Sequence, residues 1–175
     1  MKYFSELKKS MEHLAKNKKT VFLGQAVNYP GTAMFNTLKD ISKSKKIELP
    51  VSEELQMGMT IGFMLGGYIP ISIFPRYNFL ILAINQLINH LDKLKEMTGN
   101  NVSKVIIRTS IGSEEPLHPQ CQHVGDFSDA INKMSKNINL IKLKNASDIF
   151  PAYKKAILNS KPSLIVEYGD FYNTK

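Results

Sequence analysis

The stretch VSEELQMGMTIGFMLGGYIPISIFPRYNF, residues 51–79, decides how the chain is read. Ser52 stands before two acids, Glu53 and Glu54, and an apolar run follows. That order predicts a helix with Ser52 as its cap and the acids in its first turn. Gly58, Gly62 and Gly66 recur every four residues, which on a helix makes one smooth strip. A glycine inside a helix costs roughly 1 kcal/mol relative to alanine, so three of them call for the close approach of another helix or backbone. Residues 57–74 form a run of 18 without a formal charge, long enough to raise a membrane span. Gly66-Gly67 and Pro70 read instead as a helix end, a turn and the entry to a strand.

Outward from this stretch, apolar patterning predicts six strands, at residues 20–24, 46–51, 70–74, 104–109, 138–143 and 163–168. Helical spacing covers 3–16, part of 32–44, the stretch after Ser52, 79–97, 126–136 and 147–160. Strands and helices alternating in this way predict an α/β, doubly wound, mostly parallel six-stranded sheet with helices on both faces. The expectation is a single α/β domain over residues 1–175. Ligands of such sheets bind beyond the C-terminal strand ends. Residues 24–31, 52–54, 75–79 and the long loop 110–125 meet there, which brings Glu53, Tyr77, Phe79, His118 and His123 to one edge.

Composition narrows the function. The net charge is +8, yet of the 23 basic residues only Arg76 and Arg108 are arginine, the residue suited to base and phosphate forks. A nucleic-acid role is therefore not expected, and neither is a membrane role. Cys121 is the single cysteine, which excludes an intrachain disulfide and fits a reducing compartment. The lysine-rich start lacks an apolar signal core, so a cytoplasmic protein is expected. His118, Cys121 and His123 lie within six residues, but with no fourth ligand nearby no metal site is expected. A histidine in that loop reads as a substrate contact or proton donor. There is no GxGxxG and no Walker sequence, so this chain has no loop of its own to cradle a diphosphate.

The run from Pro50 to Gly67 resembles the pyrimidine-binding domain of thiamine diphosphate enzymes. It is similar to the beta subunits of the 2-oxoacid dehydrogenase decarboxylase component and, more distantly, to transketolases. Pro70-Ile71, Phe74, Tyr77-Asn78-Phe79, the segment from Ile84 to Asn89, Met97-Thr98-Gly99, the strand from Val105 to Arg108 and Gln122-His123 follow the same order. The resemblance implies that Glu53 hydrogen-bonds the pyrimidine ring nitrogen and favours the imino form that activates the thiazolium carbon. It implies that Tyr77, Phe79 or both stack beside the pyrimidine, that His123, paired with Gln122, acts on substrate, and that Gly58, Gly62 and Gly66 lie in a subunit interface; His118 has no clear counterpart there and ranks below His123 as a substrate contact.

Three departures accompany it. Gln25 stands where the family has an acid after the first strand. The loop 110–125 differs in length. The regions corresponding to the beta subunits' C-terminal domain and to the diphosphate- and magnesium-binding domain are not in this sequence. The expectation is thus the small subunit of a split, transketolase-like enzyme acting on a 2-oxoacid or ketose, by decarboxylation or by carbon–carbon ligation or transfer. Magnesium would be held by a separate diphosphate-binding partner subunit in a two-plus-two heterotetramer. The competing expectation is a non-catalytic interaction or regulatory subunit that keeps the fold.

Overall fold

The computed structural model describes residues 2–99, 104–112 and 118–173. Six strands form one sheet: β1 Thr20–Gly24, β2 Lys46–Glu48, β3 Ile69–Phe74, β4 Ile106–Ile111, β5 Asn139–Leu143 and β6 Ser163–Tyr168. Their order across the sheet is β2-β1-β3-β4-β6-β5, and all five pairings are parallel. The expected doubly wound sheet is the observed one, with every strand parallel. The chain moves to one side of β1 to lay down β2, then returns to the other side for β3. The crevice above β1 and β3 is therefore a switch point where parallel sheets take ligands.

Alternation along the strands sends side chains to two apolar layers. Ile71, Ile73, Ile106 and Ile165 face one layer with α1 (Tyr3–Ala15), the short α2 (Ala33–Asn36) and α7 (Ala146–Leu158). Phe74, Ile107, Leu164 and Val166 face the other, with α3 (Glu53–Leu65), the segments of residues 77–98 and α6 (Ser128–Met134). The run of residues 57–74 folds as most of α3, a turn at Gly66-Gly67 and β3.

Two local expectations are corrected. The helix expected over 79–97 is broken into α4 (Tyr77–Ile81), a π-helical segment Gln86–Leu91 and α5 (Leu94–Thr98). The break has a physical occasion at Asp92, which is fully buried and accepts the backbone N–H groups of Lys136 at 2.9 Å and Asn137 at 2.6 Å. Reaching that loop takes precedence over regular winding. Second, the Ser52 side chain makes no capping bond to α3.

The first layer also holds charge. Arg108 on β4 and Glu167 on β6 are both fully buried. The guanidinium is a fork on the carboxylate, Nε to Oε1 at 2.5 Å and Nη2 to Oε2 at 3.0 Å. Its Nη1 donates to Thr37 at 2.8 Å. The Tyr153 and Tyr172 hydroxyls donate to the same carboxylate. Burial and the Glu167 charge push both phenols well above their ordinary range. Burial alone would lower Arg108, but Glu167 outweighs it and raises the guanidinium.

Breaking such a pair leaves a buried charge uncompensated. Arg108→Ala and Glu167→Ala should each lose about 3–5 kcal/mol in urea denaturation. The double variant should lose clearly less than the sum, and strict additivity would show that the two side chains do not act as a unit.

Candidate functional site

Glu53 is the first residue of α3 and only 5% exposed. It stands at the helix start, just beyond β2, where the positive end of the helix dipole favours a carboxylate. Gln25 Nε2 donates to its Oε1 at 3.1 Å. Among the described residues no hydrogen bond reaches Oε2.

Two adjoining cavities open at the C-terminal edge of the sheet. One, of about 260 Å³, is lined by Gln25 and Ala26 after β1, Arg76 and Phe79 after β3, Ser110 on β4 and Tyr172 beyond β6. The second, of about 330 Å³, shares Arg76 and Phe79 and adds His118, Gln122 and His123. Phe79 lies 5.0 Å from the His123 ring, centroid to centroid, with the planes tilted by 42°. His123 is half-buried, and its Nδ1 has no hydrogen-bond partner among the described residues. His118 Nδ1 accepts the Gln120 backbone N–H at 2.9 Å.

The structure thus brings Phe79, His118, Gln122 and His123 together around one space. Glu53 reaches the neighbouring space through Gln25. Residues 113–117 of the loop 110–125 lie outside the described residues. Of the two aromatics assigned to the cofactor, only Phe79 is at a cavity. Tyr77 is fully buried in the second layer, edge-on to Phe127 at 5.7 Å, with no free ring face for stacking. Two positions apart on a helix, the side chains point about 200° apart, so one of them had to turn inward.

Sequence reasoning missed Arg76 and Asn78. Arg76 Nη1 donates to the carbonyls of Gly112 at 3.3 Å and His123 at 3.4 Å, and Asn78 Nδ2 donates to the Gln122 carbonyl at 2.7 Å. Together they tie the histidine loop over Phe79. The sequence signal was their adjacency to the aromatic pair, which says nothing of a loop more than forty residues away. Glycines 58, 62 and 66 lie along α3, and a side chain added at Gly58 or Gly62 would meet nothing within 4 Å. Among the described residues nothing packs onto the strip at Gly58 or Gly62. The strip borders an apolar depression of about 320 Å³ formed with Met59, Phe63 and Tyr68.

The chain is similar to beta subunits of pyruvate dehydrogenase E1. It is 26% identical over 172 residues to that subunit from Cyanidium caldarium, covering 94% of this chain and 50% of the relative. It is 26% identical over 160 residues to the human mitochondrial subunit, covering 89% and 44%. The chain therefore spans about half the length of the curated relatives it matches. Among solved structures, a split-gene transketolase in an inactive beta4 tetramer superposes with a TM-score of 0.73 at 18% identity, over 94% of this chain and 50% of that one. A transketolase from Campylobacter jejuni gives 0.72 at 13%, over 94% and 25%. The fold is thus shared with transketolases. No family model matches the chain.

Tyr77 yields a test of its structural placement. Burial pushes its phenol up from 10.0 to about 12, with Ser128 pulling it back and the Asp126 charge adding to the rise. The neutral form is favoured in the fold, so its contribution is intact below pH 10 and is lost as pH rises through about 12. Tyr77→Phe should soften the alkaline limb of a pH series of thermal melts and leave the neutral-pH midpoint close to wild type. An unchanged alkaline limb would contradict this placement.

Proposed function

We propose that the chain is the small, pyrimidine-binding subunit of a thiamine diphosphate-dependent enzyme that acts on a 2-oxoacid or ketose, completed by a diphosphate-binding partner subunit. The observation that carries this reading is Glu53: a buried carboxylate at the switch-point edge, with one oxygen on Gln25 and the other without a partner among the described residues. The relatives' identity as E1 beta subunits and the transketolase fold support it.

The residues fit the cofactor in three respects. Glu53 offers a hydrogen-bond acceptor for a ring nitrogen, Phe79 borders the space where a flat ring could lie, and His123 stands beside Phe79. When bound, thiamine diphosphate supplies an electron sink for cleavage or formation of a bond next to a carbonyl. Glu53 holds or gives up a proton at the ring nitrogen, its geometry fixed by Gln25. His123, tied through its carbonyl to Arg76, would exchange protons with substrate oxygens, with His118 and Gln122 as further substrate contacts. Magnesium and the diphosphate belong to the partner.

The partner seats along the open glycine strip of α3, on the helix face turned away from Glu53, and reaches that carboxylate past the N-terminal end of the helix. A two-plus-two heterotetramer in the cytoplasm fits this arrangement, and the single cysteine fits its reducing conditions. Conversion by decarboxylation and by carbon–carbon ligation or transfer are both within reach of these residues.

Glu53→Gln should assemble with the partner but lose at least about a hundredfold in turnover. Undiminished activity in the reconstituted enzyme would sink the proposal, and failure to bind thiamine diphosphate with the partner and magnesium present would favour a non-catalytic subunit. Because Gly62 faces open space in the monomer, Gly62→Ala should stabilise the isolated chain by about 0.5–1 kcal/mol in urea melts. The same substitution should weaken association with the partner. An equally tight complex would place the interface elsewhere.

A further inference from the structure

A second carboxylate stands behind the site. Glu48 ends β2, and it accepts three consecutive backbone N–H groups: Ala26 at 2.6 Å, Val27 at 2.9 Å and Asn28 at 2.7 Å. Asn28 Nδ2 donates back to the Lys46 carbonyl at 3.2 Å, and Leu49 N–H donates to the Gly24 carbonyl at 2.9 Å. The turn after β1 is thereby bolted to β2. Three N–H donors on one carboxylate make a strong, charge-assisted clamp.

The turn is also special in its backbone. Ala26 has φ 52, in the left-handed region. Gly24 has φ +149, and a Cβ there would stand 2.3 Å from the Ile73 carbonyl oxygen of β3. Such a conformation persists when the surroundings over-determine it. Gln25 lies between these two positions, lines the 260 Å³ cavity, and delivers its amide to Glu53.

We infer that Gln25 is a positioning residue, set by the Glu48 clamp, whose amide holds Glu53 by Oε1 and so fixes Oε2 as the oxygen presented to the cofactor ring. This rests on the reading of Glu53 as the cofactor contact. The choice of an amide has a chemical consequence. An amide donates an N–H and does not titrate, so the Gln25–Glu53 pair carries at most one charge. A carboxyl at position 25 would make a pair about 3 Å apart that shares a proton and titrates as a unit.

The test uses the full chain with its diphosphate-binding partner, and calorimetric titration with thiamine diphosphate and magnesium over a pH series. Gln25→Met keeps the length and removes the donor, and should weaken cofactor binding about tenfold. Gln25→Glu should bind near wild-type affinity at the acid end and lose affinity as pH rises, because the second ionisation places two negative charges together. Glu48→Gln should weaken binding in the same direction as Gln25→Met. Wild-type affinity and pH profile in both Gln25 variants would overturn the inference. So would a lower melting temperature of the Gln25→Met chain with no movement of the pH profile in Gln25→Glu, since that is the signature of a purely structural role. Glu53→Ala separates the two readings. If it binds cofactor as well as wild type, the assignment of Glu53 fails. If it alone weakens binding, only the role of Gln25 fails.

Discussion

A guanidinium and a carboxylate face each other across β4 and β6, at Arg108 and Glu167, with no exposure to solvent. Removing both charges from water is costly, and their attraction offsets that cost only when the remaining donors and acceptors are filled. Here they are filled from four directions: the strand pair itself, Thr37 after α2, Tyr153 on α7 and Tyr172 beyond β6. Tyr3 of α1 belongs to the same corner, donating its hydroxyl to the Leu143 carbonyl at 2.8 Å and accepting the Tyr168 N–H at 2.9 Å. One ionic contact therefore sets the positions of the helices on that face and the course of the chain after the last strand. Tyr172 is also a wall of the smaller cavity, so that wall of the candidate site is fastened to a fully buried ion pair.

Beyond that wall the site is assembled from turns, each held by a polar side chain on a neighbouring element. Glu48 holds the turn after β1, Arg76 and Asn78 hold the histidine loop, and Ser110 donates to the Pro75 carbonyl at 2.7 Å to tie β4 to the turn after β3. A parallel sheet makes this economical, because all of its C-terminal ends emerge on one edge and the turns are neighbours by construction. The polar groups are structural in one direction and functional in the other. Gln25 hangs from a clamped turn and reaches Glu53, and the histidine loop is strapped down beside Phe79.

The strands were legible because they are short apolar runs, two of them, β3 and β4, dense in β-branched residues, and burial on both faces is what such runs mean. Chain order and the right-handed crossover then left few topologies, and the doubly wound class expected from them is the one observed, though its strand order was not legible in the sequence. The site was legible to the extent that its residues sit at strand ends. What was not legible lies in contacts between distant positions. Arg108 could be read as a strand residue, but not as a buried ion paired 59 positions away. The spacing of residues 79–97 is helical throughout, and nothing in it announces that Asp92 turns inward to serve the loop at Lys136 and Asn137. Tyr77 and Phe79 are equivalent by type and neighbourhood, and only the packing of Tyr77 against Phe127 decides which of them faces the cavity.

The glycines of α3 pose the remaining energetic question. In an isolated helix each would cost about 1 kcal/mol relative to alanine, and a monomer commonly offsets that by letting a second backbone approach. Here it does not, since Gly58 and Gly62 look onto open space. Nor does the face hide its apolar neighbours: Leu65 is 63% exposed and Tyr68 50% exposed beside the strip. A helix that pays for glycine without using it inside its own chain has the shape of one half of a helix pair. Glu53 starts that same helix but shares the buried stripe of Met57 and Ile61, so on the proposed function a subunit packed along the strip reaches its carboxylate only around the N-terminal end of α3. On that same reading, the glycines admit a partner backbone along the exposed face of α3, and the partner's share of the cofactor site meets Glu53 past the N-terminal end of the helix.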